Sequence, residues 1–192
     1  MLVGIWGMET SYGGFLGGDN SANILANMAA EGRRRKLGES ELHAMMRLIA
    51  SGKYKRADFK SSQAGAVGHT QFMPSNILKF GEDFDRDGLV NLWGSPSDAL
   101  ASSARYLNAS GFVSGTPWGV EVELPDDFDY RLADGRKMAF SDWRALGVRS
   151  LRPAPNDLEG DLWVPTGATG PKFLLLPNFY TFKAYNLSLI HI

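Results

Sequence analysis

The chain contains no cysteine, and its 192 residues include only three histidines. The lack of thiols excludes disulfides and thiolate metal sites, but it leaves the redox compartment open, because a secreted domain of this size needs no disulfide. Neither a Gly-x-Ser-x-Gly elbow nor a His-Glu-x-x-His motif occurs. The sequence patterns of serine hydrolases and zinc peptidases are therefore missing.

Long hydrophobic runs and strong net charge are missing as well. No apolar run is long enough to span a bilayer. A net charge of -1 gives no general attraction to nucleic acid. Met1 leads directly into an apolar helical segment without a signal peptide, and such a segment needs neighbours to bury it. We therefore expect the chain to be a fragment of a longer protein.

One acid stands in that first apolar segment, residues 4–14. If the segment is helical, Ile5, Trp6 and Tyr12 share the face of Glu9, and the Gly-Gly pair that follows ends the helix. A carboxyl group among aromatic rings is poorly hydrated, which raises its pKa and lets it donate a proton near neutral pH. The alternative is an ordinary glutamate that points at water.

Capping residues and apolar spacing predict further helices at about 20–31, 40–51, 74–80 and 96–109. The core face of the 40–51 helix is predicted to be Leu42, Met45, Met46 and Ile49. The basic stretch at 33–36 is either a solvated turn or a contact for an anionic substrate. Residues 61–73 are small and glycine-rich, which indicates a close-packed loop of the kind that carries function.

The segment that starts at Asp83 follows the first half of an EF-hand calcium loop. Acids occupy positions one, three and five, a glycine follows, and Leu89 can supply a backbone carbonyl. The second half departs from the pattern, because Gly94 stands where a bidentate Glu is expected. Asp98 is the nearby acid that can replace it, although it also fits a helix capping box. The alternative is an Asp-rich turn without metal.

After residue 111 the pattern changes to a small β region. Val120, Val122 and Leu124 alternate with acids, which predicts a half-buried strand. Residues 141–147 suit a short helix, residues 153–167 a proline-rich loop, and residues 173–176 a second short strand.

Taken in order, five motifs resemble the lytic murein transglycosylase B family, which cleaves bacterial peptidoglycan. They lie at residues 7–13, 64–75, 83–93, 98–107 and 176–186, and the resemblance runs from Met1 to about Ser188. It implies an α+β, predominantly α, lysozyme-like fold. The expected parts are a catalytic core at 1–112 that holds the calcium loop 83–98, a mixed β region at 113–177, a segment at 178–188 that returns to the cleft, and a non-native tail at 189–192.

The resemblance also implies the reaction. Glu9 is expected to be the single general acid and base for cleavage between N-acetylmuramic acid and N-acetylglucosamine, with a 1,6-anhydro product. A hydrolytic muramidase and a noncatalytic peptidoglycan-binding module remain alternatives. The implied substrate-binding residues are Ser62, Gln71, Phe72, Tyr106, Tyr185, Asn186, Arg34 and Arg35. The implied ligands of a structural calcium are Asp83, Asp85, Asp87, Leu89 and Asp98, and no organic cofactor is expected.

By the same resemblance the partner is the glycan strand of peptidoglycan and not nucleic acid. We expect a monomer in the periplasm or cell envelope. Because we expect the natural N-terminus to be missing, an outer-membrane anchor in the full-length protein remains an open alternative. The chain departs from the family pattern at three positions. Gly14 stands where Arg is frequent, Gln63 stands where an aromatic residue is common, and Val67 stands where Met is usual. After residue 186 the family pattern stops, which suggests a gene truncated at both ends.

Overall fold

The computed structural model describes residues 1–154 and 157–185. They form two compact units, residues 1–106 and the described residues from 107 onward. The helices are α1 Leu2–Thr10, α2 Ser21–Ala30, α3 Arg35–Ala50, α4 Pro74–Phe80, α5 Pro96–Ala109, α6 Phe140–Ala145 and α7 Pro177–Tyr185. The strands are β1 Asp19–Asn20, β2 Lys60–Ser61, β3 Gly119–Glu123, β4 Met138–Ala139, β5 Arg149–Ser150, β6 Glu159–Trp163 and β7 Lys172–Leu175. A predominantly helical α+β fold is therefore confirmed.

The first unit is helical, and most of its predicted helices are present. The side chain of Asn20 accepts a hydrogen bond from the amide of Asn23 and caps α2, as the capping pattern predicts. Helices α4 and α5 also begin at the predicted prolines. Strands β1 and β2 form a short antiparallel pair that the sequence analysis did not predict. No helix within residues 1–154 and 157–185 has the length and apolar character to cross a bilayer.

Helix α3 differs from the prediction in its start and in its buried face. It begins at Arg35, five residues before the predicted cap, because an exposed Arg35–Glu39 ion pair of 2.7 Å supports its first turn. The predicted core residue Met46 is 48% exposed. Glu41 is buried instead, and its carboxylate accepts hydrogen bonds from the amide and the hydroxyl of Ser75 at 2.8 and 2.7 Å.

We expect Glu41→Ala to lower the free energy of unfolding by about 1.5–3 kcal/mol, because two charge-assisted hydrogen bonds to the first turn of α4 are lost. Chemical denaturation measures this change. The matched control on the same helix is Glu39→Ala, which removes an exposed ion pair and should cost about 0–1 kcal/mol. Equal costs for the two variants would contradict the assigned role of Glu41.

The second unit is built on an antiparallel sheet with strand order β4-β6-β7-β3-β5. Strands β3 and β7 confirm the two predicted strands, and their bounds differ from the predicted bounds by one residue. Strand β6 lies in the stretch predicted to be a loop, and α7 was not predicted either. The sheet packs on a buried cluster centred on Trp143, whose indole NH donates to the carbonyl of Gly160 at 2.9 Å.

Strand β6 escapes prediction because a buried carboxylate interrupts its apolar pattern. Asp161 is 5% exposed and accepts a hydrogen bond from the hydroxyl of Tyr180 on α7. Burial, together with this hydrogen bond, raises the pKa of Tyr180 above its ordinary value. The Lys137 ammonium lies 4.5 Å from the centroid of the Tyr180 ring. The charged Asp161 is thus compensated by a tertiary partner.

Candidate active site

Glu9 lies half-buried in the last turn of α1. The helix ends at Thr10, where Ser11 adopts a left-handed conformation with φ 50° and ψ 50°. The helix therefore stops earlier than the Gly-Gly pair, and Tyr12 is not on the helical face of Glu9 as predicted. Its ring instead folds back against Trp6, with centroids 5.7 Å apart in an edge-on arrangement.

Two residues of α1 near Glu9, Trp6 and Thr10, are hydrogen-bonded to His69. The indole NH of Trp6 donates to Nδ1 of His69 at 3.1 Å, and the Thr10 hydroxyl donates to the His69 carbonyl at 2.8 Å. Burial lowers the pKa of His69, which keeps the ring neutral so that Nδ1 can accept this bond. These contacts hold the acid-bearing helix against the glycine-rich loop.

Gly13 allows this arrangement because a side chain there would strike the imidazole. A Cβ at Gly13 would lie 2.4 Å from Cε1 and 2.5 Å from Nδ1 of His69, and the backbone φ is +86°. We expect Gly13→Ala to lower the free energy of unfolding by clearly more than the ~1–2 kcal/mol of the left-handed backbone alone. It should also lower any activity that depends on Glu9, since the Trp6–His69 bond must break.

The matched control is Gly32→Ala. Gly32 has nearly the same φ of +85°, but a Cβ there meets nothing within 4 Å. The loss of unfolding free energy in Gly32→Ala should be that of the backbone conformation alone. Thermal unfolding of both variants separates the two contributions, and equal losses would show that contact with His69 is unimportant.

The glycine-rich loop is close-packed, as predicted. Val67 and Phe72 exchange two backbone hydrogen bonds of 2.8 and 2.9 Å, and both side chains are buried. Gln71 turns the chain with φ 51°, and its Nε2 donates to the carbonyls of Gly68 and Leu16 at 3.0 and 3.5 Å. The part-exposed Gln71 therefore links the loop to the segment after α1.

Two further predicted residues form an aromatic group behind this loop. The ring of Tyr106, on α5, lies edge-on to Phe80 at 4.8 Å and to Phe72 at 6.1 Å between centroids. Phe72 is 2% exposed, so it is a core side chain and supports the loop from beneath, while Tyr106 is half-buried. The structure thus places Phe72 next to Gln71 but out of reach of a ligand in solvent.

Two adjoining surface depressions carry Ser62 and Arg34, two further predicted residues of this unit. Ser62 lines one of about 430 Å³ together with Phe15 and Gln63. Gln63 also lines the next, of about 300 Å³, in which Arg34 lies. Arg35 lines neither and is paired with Glu39. Tyr185 belongs to the second unit, at the end of α7, and Asn186 lies outside the described residues.

The Asp83 loop brings three carboxylates together. Oxygens of Asp83, Asp85 and Asp87 lie within 4.8 Å of one another. The loop backbone is organised around them, because the amides of Asp87 and Gly88 donate to Asp83 at 3.1 and 2.9 Å. A cluster of carboxylate oxygens is the donor set that a hard cation such as calcium prefers. These residues therefore fit the group predicted for them.

Asp98 lies outside that cluster and is fully buried. Its two carboxylate oxygens accept hydrogen bonds from the amides of Phe84 and Asn91 at 3.0 and 2.9 Å, so it joins the two ends of the loop. Burial chiefly, with the nearby charges of Asp98 and Asp83, raises the pKa of Tyr54 to about 12. The protonated Tyr54 hydroxyl donates to the carbonyl of Val90 at 3.0 Å and anchors the loop to the helical body.

Comparison with known proteins decides the family. The profile of the transglycosylase SLT domain matches residues 1–191. The chain belongs to this transglycosylase family. It is 33% identical over 195 residues to membrane-bound lytic murein transglycosylase B of Escherichia coli K12, across 98% of this chain and 52% of that protein.

Solved structures of other members of the transglycosylase family agree with the fold. SltB3 of Pseudomonas aeruginosa, solved with NAG-NAM-pentapeptide, is 41% identical and has a TM-score of 0.92, across 99% of this chain and 52% of SltB3. Slt35 of Escherichia coli, solved with calcium, is 33% identical with a TM-score of 0.81, across 96% of this chain and 59% of Slt35. The lysozyme-like, predominantly helical fold is thereby confirmed. The chain spans about half the length of the first relatives that it matches.

Two residues of this transglycosylase domain that lie beside the predicted site have no role predicted from the sequence. His69 anchors α1, and its position in the glycine-rich loop, two residues before Gln71, is the signal that was available. Phe15 is 74% exposed in the same depression as Ser62. An aromatic side chain with this exposure offers an apolar face to a ligand.

Proposed function

We propose that this domain is the catalytic region of a peptidoglycan lytic transglycosylase that cleaves the β-1,4 bond between N-acetylmuramic acid and N-acetylglucosamine. The observation that carries the proposal is that the half-buried acid Glu9 lies on a short helix, which Trp6 and Thr10 hold against His69, in a chain of the transglycosylase family. An acid that is fixed and partly desolvated is suited to proton transfer at a glycosidic oxygen.

In the proposed reaction Glu9 gives its proton to the glycosidic oxygen while the bond from that oxygen to the muramic acid C1 breaks. The C6 hydroxyl of the same sugar then bonds to C1, and its proton returns to Glu9, so the atoms and charges balance. One carboxyl group is sufficient, because the nucleophile belongs to the substrate and needs no second carboxylate to activate a water.

The predicted substrate-binding residues have the following proposed roles, and Phe72 has a supporting role only, because its side chain is buried. Ser62 and Gln71 lie at the loop beside α1 and have polar groups for sugar substituents, and Phe72 supports Gln71 from beneath. Arg34 and Arg35 are exposed cations that suit lactyl or peptide carboxylates, although the ion pair with Glu39 competes for Arg35. We propose the cleft-facing roles of Tyr106, Tyr185 and Asn186, and the return of residues 178–188 to the cleft, by family resemblance alone.

We further propose a structural calcium with ligands from Asp83, Asp85, Asp87 and the Leu89 carbonyl. Asp98, the fifth predicted ligand, lies outside the cluster and would have to bind calcium through oxygens that also accept backbone amide bonds. When bound, calcium would neutralise the repulsion of the three clustered carboxylates. The relatives' names support a place in the bacterial envelope. Membrane attachment and a monomeric state remain predictions for the whole protein.

Product mass tests the proposed reaction. Purified sacculi digested by the domain should release muropeptides that end in anhydromuramic acid, and mass spectrometry distinguishes these because they are one water lighter than hydrolysis products. Products with the full mass would support the muramidase alternative. Glycan binding without any release would support a noncatalytic module.

A further inference from the structure

A third depression, the Trp93 pocket, adjoins the one that holds Ser62 and has no role in the function proposed above. It has a volume of about 490 Å³, within the size range of small-ligand sites. Its walls include Gly17, Tyr54, Ala57, Lys60, Asn91 and Trp93. It lies wholly within the first unit.

The apolar wall of the Trp93 pocket is held rigidly. The indole NH of Trp93 donates to the carbonyl of Lys60 at 3.1 Å. Its ring packs edge-on against the buried Phe59 at 5.3 Å and lies 6.5 Å from the ring of Tyr54. A half-buried indole fixed on several sides is a preorganised surface for the apolar C–H face of a pyranose ring.

The polar wall offers a defined hydrogen-bond donor. Oδ1 of Asn91 accepts bonds from the amides of Trp93 and Gly94 at 3.3 and 2.8 Å, which fixes the orientation of the side-chain amide. The Nδ2 group of Asn91 is therefore available as a donor, and it donates no hydrogen bond within the described residues. The exposed Lys60 ammonium adds further donors. An acetamido carbonyl and ring hydroxyls are acceptors that match this wall.

The Trp93 pocket continues into the Ser62 depression across Gly17, which lines both. Gly17 has φ +91°, and a Cβ there would fall 2.2 Å from the carbonyl oxygen of Ser61. Only glycine lets the chain lie this close to strand β2. No side chain at this position separates the two depressions, so one extended ligand can occupy both.

We propose that the Trp93 pocket binds an N-acetylated amino sugar of a glycan strand, stacked on Trp93, with its acetamido carbonyl accepting a hydrogen bond from Asn91 Nδ2. This inference rests on the proposed function, because it extends the path of the same strand. The pocket would hold a sugar beyond the one at Ser62, and it would therefore favour longer strands over short ones.

Calorimetric titration of the full chain with Glu9→Gln tests the proposal. The probes are β-1,4-linked N-acetylglucosamine oligomers, a tetramer and a dimer. Ala57→Phe places a ring in the pocket from an exposed position, and Asn91→Asp removes the donor but keeps the Oδ1 acceptor. Each should weaken tetramer binding about tenfold or more, and should weaken dimer binding less, because a dimer can bind in the Ser62 depression alone while a tetramer must extend into the pocket. Ala50→Phe, at an exposed position that lines none of the three depressions, should change neither.

Thermal melting first establishes that each variant is folded. Equal tetramer affinity in Ala57→Phe and Ala50→Phe would show that the Trp93 pocket does not bind the glycan. If the domain with unmodified Glu9 still releases anhydro products, the proposed function is unaffected by that result. If instead Ala57→Phe weakens binding of a short anionic peptide but not of the tetramer, the pocket binds peptide and the proposal is wrong. Absence of anhydro products would be a failure of the proposed function itself.

Discussion

Replacing Glu9 by Gln should lower the rate of glycan cleavage by about 10²–10⁴-fold, the usual contribution of a general acid–base residue. The amide keeps the size and hydrogen-bonding capacity of the carboxyl group but cannot give up and retake a proton. The amide has nearly the same shape as the carboxyl group, and the hydrogen bonds of Trp6 and Thr10 to His69 remain, so we expect the fold to be preserved. Release of soluble muropeptides from sacculi, followed over time, measures the effect.

The matched control is Glu121→Gln, the same chemical change at an exposed position of β3. It should retain full activity. Binding of glycan by Glu9→Gln should also be retained, because the variant loses proton transfer and not substrate contacts. Unchanged turnover in Glu9→Gln would remove the chemical basis of the proposed function.

Chelation of calcium should lower the melting temperature by roughly 5–10 °C. A ligand at one hundred times its Kd stabilises the folded state by about 2.7 kcal/mol, and in a chain of this size 1 kcal/mol shifts the Tm by about 2–4 °C. The physical reason is that the clustered Asp83, Asp85 and Asp87 carboxylates repel one another without a cation. Scanning calorimetry with calcium and with chelator measures the shift.

The sign of the Tm change caused by a charge-removing substitution distinguishes a cation site from an Asp-rich turn. Asp83→Asn combined with Asp87→Asn should lower the Tm in calcium, and it should be neutral or stabilising in chelator, where repulsion is relieved. The control is Asp126→Asn combined with Asp127→Asn, two exposed acids outside the cluster, which should respond equally in both conditions. A Tm of the unmodified chain that is insensitive to chelator would argue against the site.

Local sequence patterns predicted the parts of the site that depend on neighbouring residues. The Asp83 loop was recognisable because its acids alternate along the chain, and the structure brings three of them together. The bounds of α2, α4 and α5 followed from caps and prolines. By contrast, the buried face of α3 was mispredicted because the pattern does not show that Glu41 has a buried partner, Ser75, on another helix.

The contacts that hold Glu9 in place were beyond prediction for the same reason. Trp6 and His69 are 63 positions apart, and nothing in either local segment indicates their hydrogen bond. The sequence predicts a loop in place of strand β6 because Asp161 breaks its apolar pattern, and only the tertiary contact with Tyr180 compensates for that buried carboxylate.

The sequence by itself determined the chemical groups of this domain: one acid on an apolar helix, a glycine-rich loop and a row of alternating aspartates. These follow from helix caps, residue spacing and side-chain chemistry, which act over a few positions along the chain. Only the tertiary structure decided which groups meet, including the pairing of Trp6 with His69 and the joining of two depressions at Gly17. Such contacts depend on how distant elements pack, because burial and hydrogen-bond satisfaction are settled by the whole fold and not by any one segment.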